Sequence, residues 1–367
     1  MDVTASHDRC ASLSSSSTAN MDSSPTPPTY DHYRSTLSPS MDIGAGTYLL
    51  FITVISIAGN LLVLVMAFNR SSRMKPPELL SVNLAVTDLG AAVTMYPLAV
   101  ASAWSHRFLG GDAGCLYYGL VGFFFGVASI MNLMLLAIVR FVVSLDLQSP
   151  KDKVSWCQMK LLCLWTWLYA LLWALLPIMG WGRYGPEPFG LSCSLAWGKL
   201  RREDSSFVVA MFSFNLALPA TVIVCCYFGI AIKLYVTYRK SVGHGRRISN
   251  VLNLHRRLLT IAVVISVSFI MCWSPYSVVS LWSTLGPGSP ISPQLSLLPC
   301  MFAKSSTACN PVIYYIFSQS FKRKVKKLVQ CRPGCCGGKD GAGARRGGGG
   351  GGKSLLGSEV AMASTVV

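Results

Sequence analysis

The sequence predicts an all-α membrane protein: a seven-transmembrane-helix bundle with a short interfacial eighth helix. Three observations carry that prediction. Of the 367 residues, 52% are hydrophobic and only 13% charged, whereas average soluble domains carry about 25% charged residues. Seven apolar stretches, over residues 48–68, 79–103, 115–143, 159–181, 207–234, 255–284 and 293–318, each reach the roughly 20 residues that a bilayer crossing needs. Lysine and arginine are also shared unevenly among the connections. Those near 69–78, 144–160 and 233–257 hold thirteen, and the tail after Phe321 holds ten more. The N-terminal segment and the loops near 104–114, 182–206 and 285–292 hold seven in all. The positive-inside rule then puts the N-terminus outside the plasma membrane and the C-terminus in the cytosol, as an odd number of spans requires.

Each apolar stretch is expected to be a helix, because backbone groups in lipid must be satisfied within their own segment. Residues 1–46 carry the Ser12–Ser17 run and Pro25, Pro27 and Pro28, so they read as a disordered extracellular tail. No apolar core precedes Tyr48, so the first span itself is expected to direct insertion. The bundle is expected over 47–319. From Phe321 the run Phe321-Lys322-Arg323-Lys324-Val325-Lys326-Lys327-Leu328 reads as an amphipathic cytosolic helix over 320–331, drawn to anionic membrane lipid. Residues 332–367 are Gly-rich and expected to be disordered. The single sequon, Asn69-Arg70-Ser71, falls on the cytosolic side, where it stays unmodified.

Two function classes drop out on composition. The net charge of +17 lies in loops and tail, with no folded basic domain to read a nucleic acid. Most of the thirteen cysteines (Cys163, Cys225, Cys226, Cys272, Cys300 and Cys309 among them) sit in apolar runs, where cysteine packs as a small hydrophobe. No pair has zinc-site spacing, so no metal is expected.

Lys304 is the residue that composition does not explain. It lies about three turns from either end of the seventh stretch, where an ammonium costs about 2.5–3.5 kcal/mol and is too deep to snorkel to water. A buried lysine can shed its proton or serve as an attachment point, since an amine forms a Schiff base with an aldehyde. Asp88 is the one acid deep in an apolar run, and an intramembrane carboxylate marks function by default.

An ordered set of landmarks runs through the spans: Gly59-Asn60, Asn83-Leu84-Ala85-Val86-Thr87-Asp88, Cys115 with Arg140, Trp167, Pro219 with Tyr227, Cys272-Trp273-Ser274-Pro275, and Asn310-Pro311-Val312-Ile313-Tyr314. Over about residues 45–330 this set resembles the rhodopsin-like class of G-protein-coupled receptors. A lysine six residues before the Asn-Pro motif narrows the resemblance to opsins. The loop Tyr184-Gly185-Pro186-Glu187-Pro188-Phe189-Gly190 and the run Gly122-Phe123-Phe124-Phe125-Gly126 look most like neuropsin-type, non-visual opsins.

The resemblance implies a light-activated receptor, not an enzyme, with retinal (11-cis, all-trans or both) covalently bound at Lys304. It implies a Cys115–Cys193 disulfide, and a chromophore pocket of Tyr118, Gly126, Phe189, Met211, Trp273 and Tyr276. A protonated Schiff base needs a counterion. Tyr118 stands where vertebrate visual pigments carry glutamate, which leaves Glu187, six residues before Cys193, as the expected counterion. Asp88, Asn60 and Asn310 are expected to form a polar cluster. Asp88, Arg140, Tyr227, Asn310, Pro311 and Tyr314 are the expected switch and G-protein-coupling residues, and a heterotrimeric G protein is the expected partner. Candidate additions are an arrestin and a receptor kinase acting on Ser354, Ser358, Ser364 and Thr365, palmitoylation at Cys331, Cys335 and Cys336, and a PDZ-domain protein at Thr365-Val366-Val367. Two alternatives stay open: a retinal photoisomerase or chromophore store with weak signalling, and a receptor for a diffusible ligand.

One motif departs from the family pattern. The usual acidic-Arg-aromatic triplet reads Val139-Arg140-Phe141, and His255 stands at the foot of helix 6 where an acid is usual. Missing restraint on the arginine predicts higher dark signalling than in a pigment carrying both acids. Nucleotide exchange on a G protein in darkness should therefore fall in Val139→Glu; equal dark rates in variant and wild type would sink the expectation.

Overall fold

The computed structural model describes residues 31–69, 74–145, 154–197, 200, 205–241, 246–286, 291–317, 321–323 and 325–326. From Tyr33 onward they form one unit. Helix α1 runs Pro39–Phe68, opened by Ser38, whose hydroxyl accepts from Met41 N, and by Pro39 in the first turn, where its missing N–H costs nothing. The helix thus starts ahead of the apolar run at Tyr48, which corrects the tail boundary expected at residue 46. The residues just before it also have partners. Phe108 N donates to Tyr33 O (2.8 Å) and Ser35 N to His106 O (3.0 Å), while Tyr33 donates to Asp112 Oδ1 at 2.6 Å. These residues form a strap across one end of the bundle.

Prolines break two of the other spans. The second is α2 (Glu78–Thr94) and α3 (Tyr96–Trp104), parted at Met95; Pro97 has no N–H to give to the carbonyl one turn back. The third, α4 (Gly111–Ser144), is about 51 Å long at helical rise. The fourth, α5 (Trp156–Leu175), is opened by a Ser155–Gln158 capping box. It closes before Pro177 rather than near 181, because that proline cannot extend the ladder.

The fifth span consists of α6 (Ser205–Phe212), a π-helical turn at Ser213–Ala217 and α7 (Leu218–Ser241). Pro219 cannot bond the Asn215 carbonyl, and Leu218 N reaches back instead to Ser213 O, the widened register of a π-bulge. The sixth, α8 (Arg246–Leu285), carries Pro275 inside it. The seventh is two twelve-residue helices, α9 (Pro293–Lys304) and α10 (Ser306–Phe317), meeting at Ser305. Among the described residues six spans are long and apolar enough to cross a membrane; the seventh, a jointed pair of twelve-residue helices, is not one of those six.

Between α5 and α6 lies the one sheet among the described residues, an antiparallel hairpin of β1 (Tyr184–Pro186) and β2 (Cys193–Leu195), paired Tyr184↔Leu195, Gly185↔Ser194 and Pro186↔Cys193. Three-residue strands are too short to read from alternation, so the all-helix expectation misses them. Cys193 is disulfide-bonded to Cys115 near the start of α4, which ties the hairpin to the third span. Phe68, Phe228 and Leu298 on the outer surface are 80%, 68% and 66% exposed, an apolar exterior that suits lipid rather than water.

Of the residues expected in the eighth helix, 321–323 and 325–326 are described and helical, and the buried Phe321 ring sits 6.3 Å from that of Tyr314. Cys331, Cys335, Cys336, the tail motifs and the His255 side chain lie outside what the structure describes.

The first and seventh spans meet through Gly59, where a β-carbon would come within 2.5 Å of the Pro311 ring. Overpacking of this kind costs about 1–3 kcal/mol. Gly59→Val should therefore lower the thermal unfolding midpoint of detergent-solubilised protein by several degrees; an unchanged midpoint would show that this approach is not tight.

Candidate functional site

Lys304 ends α9 at the joint of the seventh span. Its ammonium donates to Cys300 Sγ at 3.1 Å, one turn back on the same helix, and stands 5.6 Å above the ring centre of Tyr118. A thiol and an aromatic face are soft partners that ease burial of the cation without neutralising it. The Lys304 carbonyl accepts from Tyr96 OH at 2.9 Å and Thr307 Oγ1 at 3.1 Å, so backbone freed by the joint is bonded to the second span and to the next turn.

The amine opens into a cavity of about 170 Å³ between the spans, with mostly apolar walls. Tyr118, Gly126, Met211, Trp273, Tyr276, Glu187 and Lys304 all line it, so the structure brings together all but one of the residues expected in the pocket. The exception is Phe189. It is fully buried but turned away, lining with Leu191, Leu297 and Met301 a separate space of about 10 Å³, while its carbonyl accepts from Thr36 N at 3.4 Å. The strap holds it there. Trp273 lies stacked against Phe269 at 5.7 Å and edge-on to Tyr276 at 6.2 Å, with its Nε1–H on Ser306 Oγ at 3.2 Å. Gly126 makes room for it, since a β-carbon there would meet the indole at 3.1 Å.

Glu187 reaches the cavity because of the turn between β1 and β2. Its N–H donates to Ser192 O and its carbonyl accepts from Gly190 N, both at 2.9 Å. Gly190 takes φ +76°, a left-handed conformation that glycine adopts without steric cost; any side chain there would also strike the Arg34 carbonyl of the strap. The carboxylate is 5% exposed. It accepts from Ser194 Oγ at 2.6 Å, Tyr276 OH at 2.7 Å and Ser296 Oγ at 3.5 Å. Burial pushes its pKa up; the Ser194 and Tyr276 hydrogen bonds and the Lys304 charge pull it back. Lys304 and Glu187 thus share one cavity without touching, each held by other partners.

Deeper in the bundle, Asn310 Nδ2 donates to Asp88 Oδ2 at 2.7 Å. Asn60 does not join them. Its amide donates to Ser56 O at 2.9 Å and Thr307 O at 3.0 Å, drawn aside by a carbonyl that Pro311 leaves without its helical N–H partner. At the end away from the hairpin, Tyr227, the acidic Glu78 and Tyr314 lie close enough to act on the Arg140 charge, and Tyr227 OH pairs with Ser266 Oγ at 3.1 Å.

Four site residues escape the sequence reading. Cys300 was visible in principle as the residue one helical turn before Lys304. Ser194 and Ser296 become legible only once the hairpin and α9 meet, and Asn215 only once the π-helical turn is seen.

Comparison with known proteins comes down on the same side. Residues 59–314 match the family described as 7 transmembrane receptor (rhodopsin family). Opsin-5 of Mus musculus is 36% identical over 296 residues, 79% of this chain and 78% of that one. The Homo sapiens visual pigment-like receptor peropsin is 32% identical over 78% of this chain and 84% of its own length. Among solved structures, squid rhodopsin superposes with a TM-score of 0.74 at 27% identity, over 86% of this chain and 94% of that one.

Hydrogen bonds to a charged group contribute about 1.5–3 kcal/mol, and those at Glu187 favour its ionised form. Tyr276→Phe removes one of them, so the carboxyl should take up its proton at a higher pH than in wild type. Infrared titration of the protonated carboxyl stretch, assigned with Glu187→Gln, measures the midpoint; one that does not move would refute the coupling.

Proposed function

The chain belongs to the rhodopsin family of seven-transmembrane receptors, as an opsin similar to Opsin-5, and from that premise we propose that it is a light-activated receptor carrying retinal on Lys304. The observation that carries this reading is the buried amine opening into a mostly apolar cavity between the spans, with one carboxylate across the space. The residues suit a polyene aldehyde: an amine at one end, aromatic and aliphatic walls along the length, and hydrogen-bonding groups gathered around Lys304 and Glu187. When bound, retinal supplies visible absorption and a light-driven change of shape.

The rest is done by the chain. Lys304 would hold the group by condensation of its neutral Nζ with the aldehyde, which releases water and needs no further reagent, and the proton that the ammonium gave up would return to the nitrogen. Glu187 would supply negative charge towards that nitrogen, and its three hydroxyl donors oppose the rise in pKa that burial causes. Trp273, between Gly126 and Ser306, is the side chain most exposed to a change in ligand shape. It lies two residues before Pro275, where α8 lacks a backbone bond, so the sixth span is the natural element to move. The Asp88–Asn310 bond and Tyr227 then lie between the cavity and Arg140, where a heterotrimeric G protein docks. In this reading the hairpin and strap face outside and the Arg140 end faces the cytosol, with the receptor in the plasma membrane. Motion of this kind is a shift between two packings that the ligand biases.

Reconstitution with 11-cis- and with all-trans-retinal, followed by absorption spectra and light-dependent nucleotide exchange, tests the reading. The expected outcome is a band that disappears in Lys304→Ala, together with exchange that rises on illumination. A band that survives Lys304→Ala would overturn the attachment site. Conversion and release of retinal without exchange would replace the receptor with a photoisomerase, and no band with either isomer would leave a receptor for a diffusible ligand.

A further inference from the structure

At the other end of the cavity from Lys304 there is a polar side chain that the reading above does not use. Asn215 occupies the middle of the π-helical turn Ser213–Ala217 and lines the cavity beside Met211, Phe212 and Leu216. The fifth span packs on the third and sixth, whereas the seventh packs on the first, second and sixth, so Asn215 and Lys304 sit on opposite walls. Asn215 is 6% exposed, and neither Nδ2 nor Oδ1 has a hydrogen-bond partner. Asn60, Asn83 and Asn132 each leave one amide atom unmatched but bond through the other. Asn215 alone among the described buried asparagines leaves both.

A buried donor or acceptor left unmade costs about 1–3 kcal/mol, so such groups are rare unless something else satisfies them. Phe269 and Trp273 on the sixth span and Val127 on the third, which line the same cavity, carry no hydrogen-bond acceptor. The amide sits there because Pro219 forces the widened turn, and the turn sets which face of the span Asn215 occupies.

The geometry points to a chromophore that is oxygenated on its ring: Asn215 binds a hydroxyl at the end of the retinoid remote from the aldehyde. This deepens the retinal reading and rests on it. With its aldehyde carbon on Lys304, a retinoid directs its ring towards the fifth span. The ring of retinal is pure hydrocarbon and would leave both amide atoms unmatched. A ring hydroxyl both donates and accepts, so it can satisfy Oδ1 and Nδ2 together, whereas a ring ketone can only accept from Nδ2. The attachment chemistry at Lys304 is the same for all three.

The full-length apoprotein is incubated with equimolar retinal and 3-hydroxyretinal in darkness, and the bound retinoids are released as oximes and separated. A preference of about five-fold for the hydroxylated form is expected from the usual worth of one hydrogen bond, with 4-oxoretinal in between. Asn215→Leu should bring the ratio close to one while still forming pigment with plain retinal, which shows that the variant is folded. Asn215→Thr, which puts a hydroxyl that can donate and accept in place of the amide, should retain part of the preference. Equal binding of both retinoids by wild type would overturn the inference and leave the retinal reading intact, as would a preference that Asn215→Leu does not change. No pigment with any retinoid would overturn both.

Discussion

Placing the Lys304 ammonium about three turns from either end of its span costs about 2.5–3.5 kcal/mol on the lenient insertion scale, and much of the surrounding architecture can be traced to that expense. The charge is not cancelled by a touching acid. It is spread over a thiol and an aromatic face on one side and faces a carboxylate across open space on the other. A direct ion pair would make a more stable apoprotein, but it would also fill the space a ligand needs. The cavity is therefore stable only so far as its two charged groups are each held separately, and the hydroxyls of Ser194, Tyr276 and Ser296 do this for Glu187.

Glu187 in turn depends on the backbone and covalent ties of the loop that carries it. Its position follows from the hairpin register, from Gly190 at a positive φ, and from the disulfide that fixes β2 to the third span. Over the hairpin lies the strap, Tyr33 to Leu37, whose backbone bonds reach both Phe189 and the turn after α3. A loop that looks like a connection between two helices thus behaves as part of the binding site's wall.

How much of this could be read in advance differs from element to element. The seven spans were legible because lipid demands long apolar runs, and the spacing of Lys304 to Asn310 because it is written along one apolar stretch. Ends were less legible: α1 begins at Pro39, where a serine cap and a proline outweigh the polarity of the sequence, and α5 stops at Pro177 within an unbroken apolar stretch. Where an expected residue lies on a helix of known phase, as with Tyr118, Gly126 and Trp273, it lines the cavity. The cavity was misread at Phe189, on a turn whose direction is decided by the strap lying over it. Asn60 was misplaced for a similar reason, since its partner is a backbone carbonyl that no side-chain pattern reveals. Asn215 carries no signal at all in the sequence, because the π-helical turn that sets its facing comes from a proline four residues later.

The joint at Ser305 has a mechanical consequence. A continuous rod twisted at its middle turns at both ends together. Two short rods meeting at a single residue do not, so a push at the last residue of α9 can rotate that half while α10 keeps its grip on the Asp88 side. The hinge sits one residue after the amine, and the carbonyl of Lys304 is tethered to the second span through Tyr96. Force applied to the amine is thus delivered where the helix yields most easily, and its first effect is to loosen or tighten a hydrogen bond between neighbouring spans. The seventh span works as a crank rather than a strut.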